Sequence, residues 1–254
     1  MLLSHLRSSA LLLSTLTALV VPVAACHAEE SPADLAFGRR VRAYLLAHPE
    51  VLQEAFDQLQ AKADAGKAAD ARSAIVARKQ MLERDPRDPV LGNPQGAVTV
   101  VEFFDYRCPF CKAAEPDVEK LLAANPDIRL VLKEFPILDA EDQTHISEDA
   151  ARAALAANAQ GRYDVVHRAL LAQKHLDEDG ITALLKVDGV DPNAAKTVET
   201  STSTTAQIAD ARALARALGI DGTPAFIVGD QMISGAQMDL LRAAVVRARK
   251  APQR

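Results

Sequence analysis

Arg107-Cys108-Pro109-Phe110-Cys111 is the part of the sequence best equipped for chemistry. The two cysteines stand three apart, between an apolar run from Val98 to Phe104 and a helical pattern that starts at Pro109. Cys108 therefore falls at a helix N-terminus, where free backbone N–H groups and the positive end of the helix dipole favour a thiolate. Pro109 suits the first helical turn, because its missing N–H has no partner to lose there. On this reading Cys108 is the attacking nucleophile and Cys111 the more buried, resolving thiol of a redox pair. Arg107 adds a neighbouring positive charge, of small effect if the guanidinium is solvated. Two other readings stay open at this point. One is a structural bridge, although so small a loop removes little entropy from the unfolded chain. The other is a zinc site, but the pair supplies two of four ligands, and His145, His167 and His175 show no recognisable paired spacing.

Glu102 interrupts Val100-Val101-Glu102-Phe103-Phe104, where an ionised carboxylate is costly unless it is partnered or protonated. Burial on both faces of this run predicts a raised pKa and a role in exchanging a proton with Cys111 as the disulfide opens. The plainer reading is a strand residue turned to solvent or held in an ion pair. Gly222-Thr223-Pro224-Ala225-Phe226 precedes a further strand. Taken alone it is an extended lead-in, since only about 5–6% of X-Pro bonds in folded proteins are cis.

The elements that must position these residues are legible as α/β. Residues 31 to 84 read as helices, with Pro49 opening the second, and Val51, Leu52, Ala55, Phe56 and Leu59 on one face. Two proline-containing clusters, Asp85 to Pro89 and Gly92 to Pro94, break any helix and read as a linker. Val98 to Phe104 and Ile128 to Phe135 read as strands flanking a helix from Pro109 to about Ala124. The stretch from about Ala140 to Ser201 reads mainly as helices, with breaks near Gly161, Gly180 and Asp191-Pro192, and another helix runs from Ala206 to Leu218. A hairpin of Ala225 to Val228 and Gln231 to Ile233, then a helix from about Gln237 to Arg249, complete the order. The expected division is a leader over 1–28, a helical domain over 29–89 and a catalytic domain over 90–254.

The first 28 residues hold one charged side chain, Arg7, before an uncharged apolar run from Leu11 to Ala25. That is the pattern of a secretory signal peptide, too short to span a bilayer comfortably. Either cleavage before Glu29 discards Cys26, or Val23-Ala24-Ala25-Cys26 acts as a lipobox and Cys26 becomes a lipid anchor. Export leaves Cys108 and Cys111 as an internal pair outside the reducing cytosol, in the cell envelope or periplasm. The formal charge of −5, with no basic stripe, argues against a nucleic-acid partner.

Three motifs in order resemble the DsbA family of bacterial envelope proteins: Val100 to Cys111, then Lys133-Glu134-Phe135-Pro136-Ile137-Leu138, then Gly222 to Val228. Val41 to Leu52 resembles the leading helical domain of ScsC-like members. The resemblance implies a thioredoxin fold with a helical insertion at about 140–205, and a cis Pro224 beside the cysteines. It implies that the Thr223 backbone docks an extended substrate segment by main-chain hydrogen bonds, with Pro109 and Phe110 also on the substrate side. Glu102 matches the family's acidic strand residue beneath the buried cysteine. No bound cofactor or metal is implied. The expected partners are protein thiols and disulfides and a membrane redox partner; the apolar face of the N-terminal helices either packs on the catalytic domain or, as the ScsC resemblance implies, meets a second copy.

One departure bears on the direction of the reaction. The best-known oxidases carry His where this chain has Phe110, and losing that neighbour predicts a less stabilised thiolate and a weaker oxidant. The expectation leans to a disulfide isomerase or reductase. A strong dithiol oxidase and a non-catalytic copper- or zinc-binding module are the alternatives, the latter because thiolates suit soft Cu(I).

Overall fold

Val98–Phe104 forms the central strand of a five-stranded sheet in the computed structural model, which describes residues 31–250. The leader and Cys26 lie outside the described residues. The elements in chain order are α1 (Pro32–Ala47), α2 (Glu50–Ala77), α3 (Lys79–Glu83), β1 (Val90–Gly92), β2 (Val98–Phe104), α4 (Pro109–Ala124), β3 (Ile128–Glu134) and α5 (Asp139–Asp142). They continue with α6 (Ile146–Ala159), α7 (Tyr163–Ala172), α8 (Glu178–Val187), α9 (Pro192–Glu199), α10 (Thr202–Leu218), β4 (Ala225–Val228), β5 (Gln231–Ser234) and α11 (Met238–Lys250).

The sheet order is β1-β3-β2-β4-β5. β2 runs parallel to β3, with Glu102 beside Leu132, and antiparallel to β4, with Glu102 beside Phe226. β2 is covered on both faces, which is why it reads as an almost unbroken apolar run. Its side chains alternate between two cores. Val98, Val100 and Phe104 pack with Cys111, Ala114 and Val118 of α4, and with α6, α7 and α11. Val101 and Phe103 face the other way, onto Ile75, Leu82 and Leu214. Glu102, two residues from Val100 and from Phe104, therefore lies on the α4 side of the sheet, the side that holds the cysteines.

The chain divides into two compact units, between Gln58 and Leu59. This differs from the division at residue 89 expected from the proline clusters. The physical reason is burial: Ile75 at the end of α2 and Leu82 in α3 are part of the core beneath β2. The proline-containing segment is also more than a linker. Val90–Gly92 adds β1 antiparallel to β3, and Asp88 forms a buried ion pair with Lys133. Gly92 has φ +71°, and a Cβ there would sit 2.7 Å from the Ile128 carbonyl oxygen, so the tight turn out of β1 requires glycine.

The other unit comprises α1 and the first part of α2. Ser31 caps α1 by accepting from the Asp34 N–H at 3.2 Å, and Pro32 occupies the first turn. No residue of α1 is buried.

Candidate active site

Cys108 is the N-cap residue of α4, extended at φ −66° and ψ 119°, and Pro109 opens the helix. The two thiols are free and buried, Cys108 at 4% and Cys111 at 2% exposure. Phe110 between them is 65% exposed. The Thr223–Pro224 peptide bond is cis, and the Cys108 thiol donates to the Thr223 carbonyl oxygen at 3.2 Å. The loop before β4 is thus brought to the start of α4 across more than a hundred residues of sequence.

The two sulfurs have opposite electrostatic surroundings. A hydrogen bond from Cys111 pulls the Cys108 thiol down to about 6, against its burial, with help from Thr223 and the backbone N–H groups of Cys111 and Phe110. Cys111 is pushed far above the usual thiol range by burial first, then by the Cys108 hydrogen bond and the nearby Glu102 charge. At neutral pH these surroundings favour the thiolate at Cys108 and the protonated thiol at Cys111. Arg107 precedes the pair directly. Its backbone N–H donates to Asp105 at 2.8 Å, and its guanidinium engages Asp139 at 3.1 Å and Thr144 at 2.8 Å.

Glu102 is 4% exposed, and its Oε2 is buried without a hydrogen-bond partner. Burial, then the neighbouring Glu115, raises its pKa well above the usual carboxylate range, so the neutral acid is favoured. Phe110, Ile220, Gly222, Thr223, Ala225 and Ala236 border a mainly apolar groove of ≈ 360 Å³ at the rim of the cysteine pair. Glu102, Cys108, Cys111, Phe110, Thr223 and Pro224 are thus brought to one end of the sheet.

Sequence reasoning missed a polar cluster behind this site. Glu134 is buried and accepts from Tyr163 at 2.7 Å and Tyr106 at 3.2 Å. The Tyr106 hydroxyl also meets His167 Nδ1 at 3.0 Å, and His167 Nε2 lies 3.8 Å from Glu115. A signal existed in the i, i+4 spacing of Tyr163 and His167, which puts both on one face of a helix. Among the described residues no group of three or more His, Cys, Asp or Glu side chains is placed to hold a metal ion.

A helix-capping cysteine pair, a cis proline alongside and a mixed five-stranded sheet agree with what the sequence matches. Residues 99–246 fit the model of the DSBA-like thioredoxin domain. The chain belongs to the DSBA-like thioredoxin family. Residues 36–65 fit a second model, the copper resistance protein ScsC N-terminal domain. The thioredoxin-like oxidoreductase of Silicibacter pomeroyi superposes on this DSBA-like chain with TM-score 0.64 and 44% identity, covering 68% of this chain and 98% of that one. The thiol:disulfide interchange protein DsbA of Bordetella pertussis is 30% identical over 151 residues, 58% of this chain and 70% of that protein. The Na⁺/H⁺ antiporter NhaA 3 of Salinispora tropica is 35% identical over 176 residues, 66% of this chain. The chain spans 26% of that antiporter's length. No helix among the described residues is long and apolar enough to cross a membrane.

Proposed function

We propose that the protein exchanges disulfides with protein substrates in the bacterial periplasm or envelope, as an isomerase or reductase more than as a strong oxidase. The observation that carries this reading is the asymmetry of the pair: Cys108 at the start of α4 is lowered to about 6 beside the cis Thr223–Pro224 bond, and Cys111 is buried and raised. When the oxidised pair acts, a substrate thiolate attacks Cys108 Sγ and the Cys108–Cys111 bond breaks. Cys111 leaves as a thiolate and takes a proton from the neutral Glu102 carboxyl. A second substrate thiolate then attacks the substrate sulfur of the mixed disulfide, and Cys108 leaves as a thiolate. The substrate gains a disulfide and the pair is reduced, and the reverse sequence reduces a substrate. Thr223 supplies main-chain pairing to the substrate segment, and Pro109 and Phe110 form the face it meets.

The lean to isomerase rests on two supports. The Cys108 value lies between about 7 for thioredoxin and about 3.5 for DsbA, as befits an intermediate oxidant. The apolar residues left exposed on α1 and α2, including Phe37, Tyr44 and Phe56, suit a homo-oligomer that gathers several reactive centres. A membrane redox protein would restore the pair after each net oxidation or reduction of a substrate, whereas an isomerisation cycle returns the pair to its starting state.

The test is the reduction potential of the pair, set by equilibration with glutathione buffers. A value at or below about −180 mV supports isomerisation or reduction, whereas one near −120 mV assigns strong oxidation instead. A pair that never equilibrates overturns the reading. So does stoichiometric retention of copper by the reduced protein without turnover of a protein disulfide.

A further inference from the structure

The concave surface does not end at the rim groove. A cleft of ≈ 940 Å³ lies between the Lys67–Arg72 stretch of α2, the C-terminal end of α10 and the β4–β5 hairpin. Asp221 and Ser234 line both this cleft and the rim groove, so the two adjoin at these residues. One wall is β5, which pairs with β4 alone and is an edge strand of the sheet. Edge strands carry main-chain N–H and C=O groups without ladder partners. The opposite wall is α2, tied to the hairpin by Arg72 Nε and Asp230 Oδ2 at 3.1 Å.

The lining is electrically balanced, with Lys67, Arg72 and Arg247 set against Asp70, Asp221 and Asp230. Leu218 and Met232 add apolar wall. A site for a small anion or a nucleotide would carry an excess of one sign. Balanced charge beside an open strand edge instead suits main-chain pairing with an extended polypeptide, tolerant of its side chains.

We propose that this cleft docks a further stretch of extended, unfolded client polypeptide, pairing along β5 beyond the residues held at Thr223. The inference rests on the disulfide-exchange reading for the identity of the occupant, since continuity with the rim groove is what makes it a client. The four residues of β5 correspond to about 14 Å of added strand. Short thiols and small disulfides cannot reach that far, so the cleft discriminates by chain length.

Ala68 is an exposed residue of α2 that lines the cleft and is absent from the rim groove. Ala68→Trp fills the cleft from the α2 wall, and Ala68→Ser is the control. With reduced, unfolded ribonuclease A as the client, Ala68→Trp should raise KM by roughly fivefold or more at unchanged kcat. Exchange with glutathione disulfide should be the same in all three proteins. In parallel, a photo-crosslinking amino acid at position 68 of the Cys108→Ser, Cys111→Ser chain should capture a cysteine-free unfolded polypeptide. An unchanged KM for the unfolded client overturns the proposal, as do crosslinks formed only between copies of this chain, or none at all. Because the crosslink needs no exchange chemistry, failure of the cleft and failure of the redox reading give different results.

Discussion

The helices before Gln58 and the unit from Leu59 onward are both rich in alanine, yet they treat their large apolar side chains in opposite ways. The later unit closes two cores around β2, with Phe103, Phe104 and Leu132 all at or below 1% exposure. The earlier unit buries nothing in α1 and leaves Phe56 at 69% exposure in α2. Covering one such side chain is worth about 1.5–3 kcal/mol, so a face of this kind is an incentive to associate. The difference separates a unit that closes its apolar surface around the reactive centre from one that leaves it open.

The comparison can be broken or sharpened experimentally. The largest effect should come from Cys108→Ser, which removes the nucleophile and lowers exchange with glutathione disulfide by on the order of 10³ or more. Phe56→Asp should leave that rate per chain unchanged, and an equal loss in both variants would erase the distinction between the units. Next, Phe103→Ala should destabilise the unit from Leu59 onward by about 3–5 kcal/mol, and Leu82→Ala by about 2–5 kcal/mol, in urea denaturation. Phe56→Asp should stay within about 0.5 kcal/mol there while lowering the molar mass seen by light scattering.

A smaller, sharper effect is expected from pH. The Cys108 pKa is about 6 in the fold, below the roughly 8.5 of an unfolded thiol. The thiolate therefore stabilises the reduced protein above about pH 8.5, and this contribution is lost as pH falls through about 6. Alkylation of the reduced protein should rise with a midpoint near pH 6, and the melting temperature of reduced relative to oxidised protein should fall from pH 8 to pH 5. A midpoint near 8.5 would remove the asymmetry on which the functional reading stands. The smallest change should be that of Glu102→Gln, which alters the pH dependence of disulfide opening more than the rate at its optimum, in stopped-flow reduction. An unchanged profile would reduce Glu102 to a packing residue.

Much of this was legible in the sequence. β2, α4 and β3 have the expected limits to within a residue, because an unbroken apolar run and the Asn125-Pro126 stop are strong local signals. Spacing singles out the cysteine pair, and a charge placed in an apolar strand singles out Glu102; their roles are what the variants above test. β1 was not legible, since three residues between prolines carry no period. Lys133 and Glu134 look like solvated charges, but each is buried. Their partners, Asp88 and the pair Tyr106 and Tyr163, lie far away in sequence and no local pattern announces them. The shared core under Ile75 and Leu82 was hidden for the same reason, a long-range contact behind a proline cluster that reads as a boundary.

Glu134 has a consequence for anyone reshaping this scaffold. Its carboxyl is held by one tyrosine that follows β2 and by another, Tyr163, from the inserted helices. Trimming those helices to leave a minimal redox module would strip a donor from a carboxyl that the intact fold buries. Such a redesign must also replace Glu134 with an apolar residue of similar volume, and the insertion is accordingly a structural dependency of the sheet, inherited together with it.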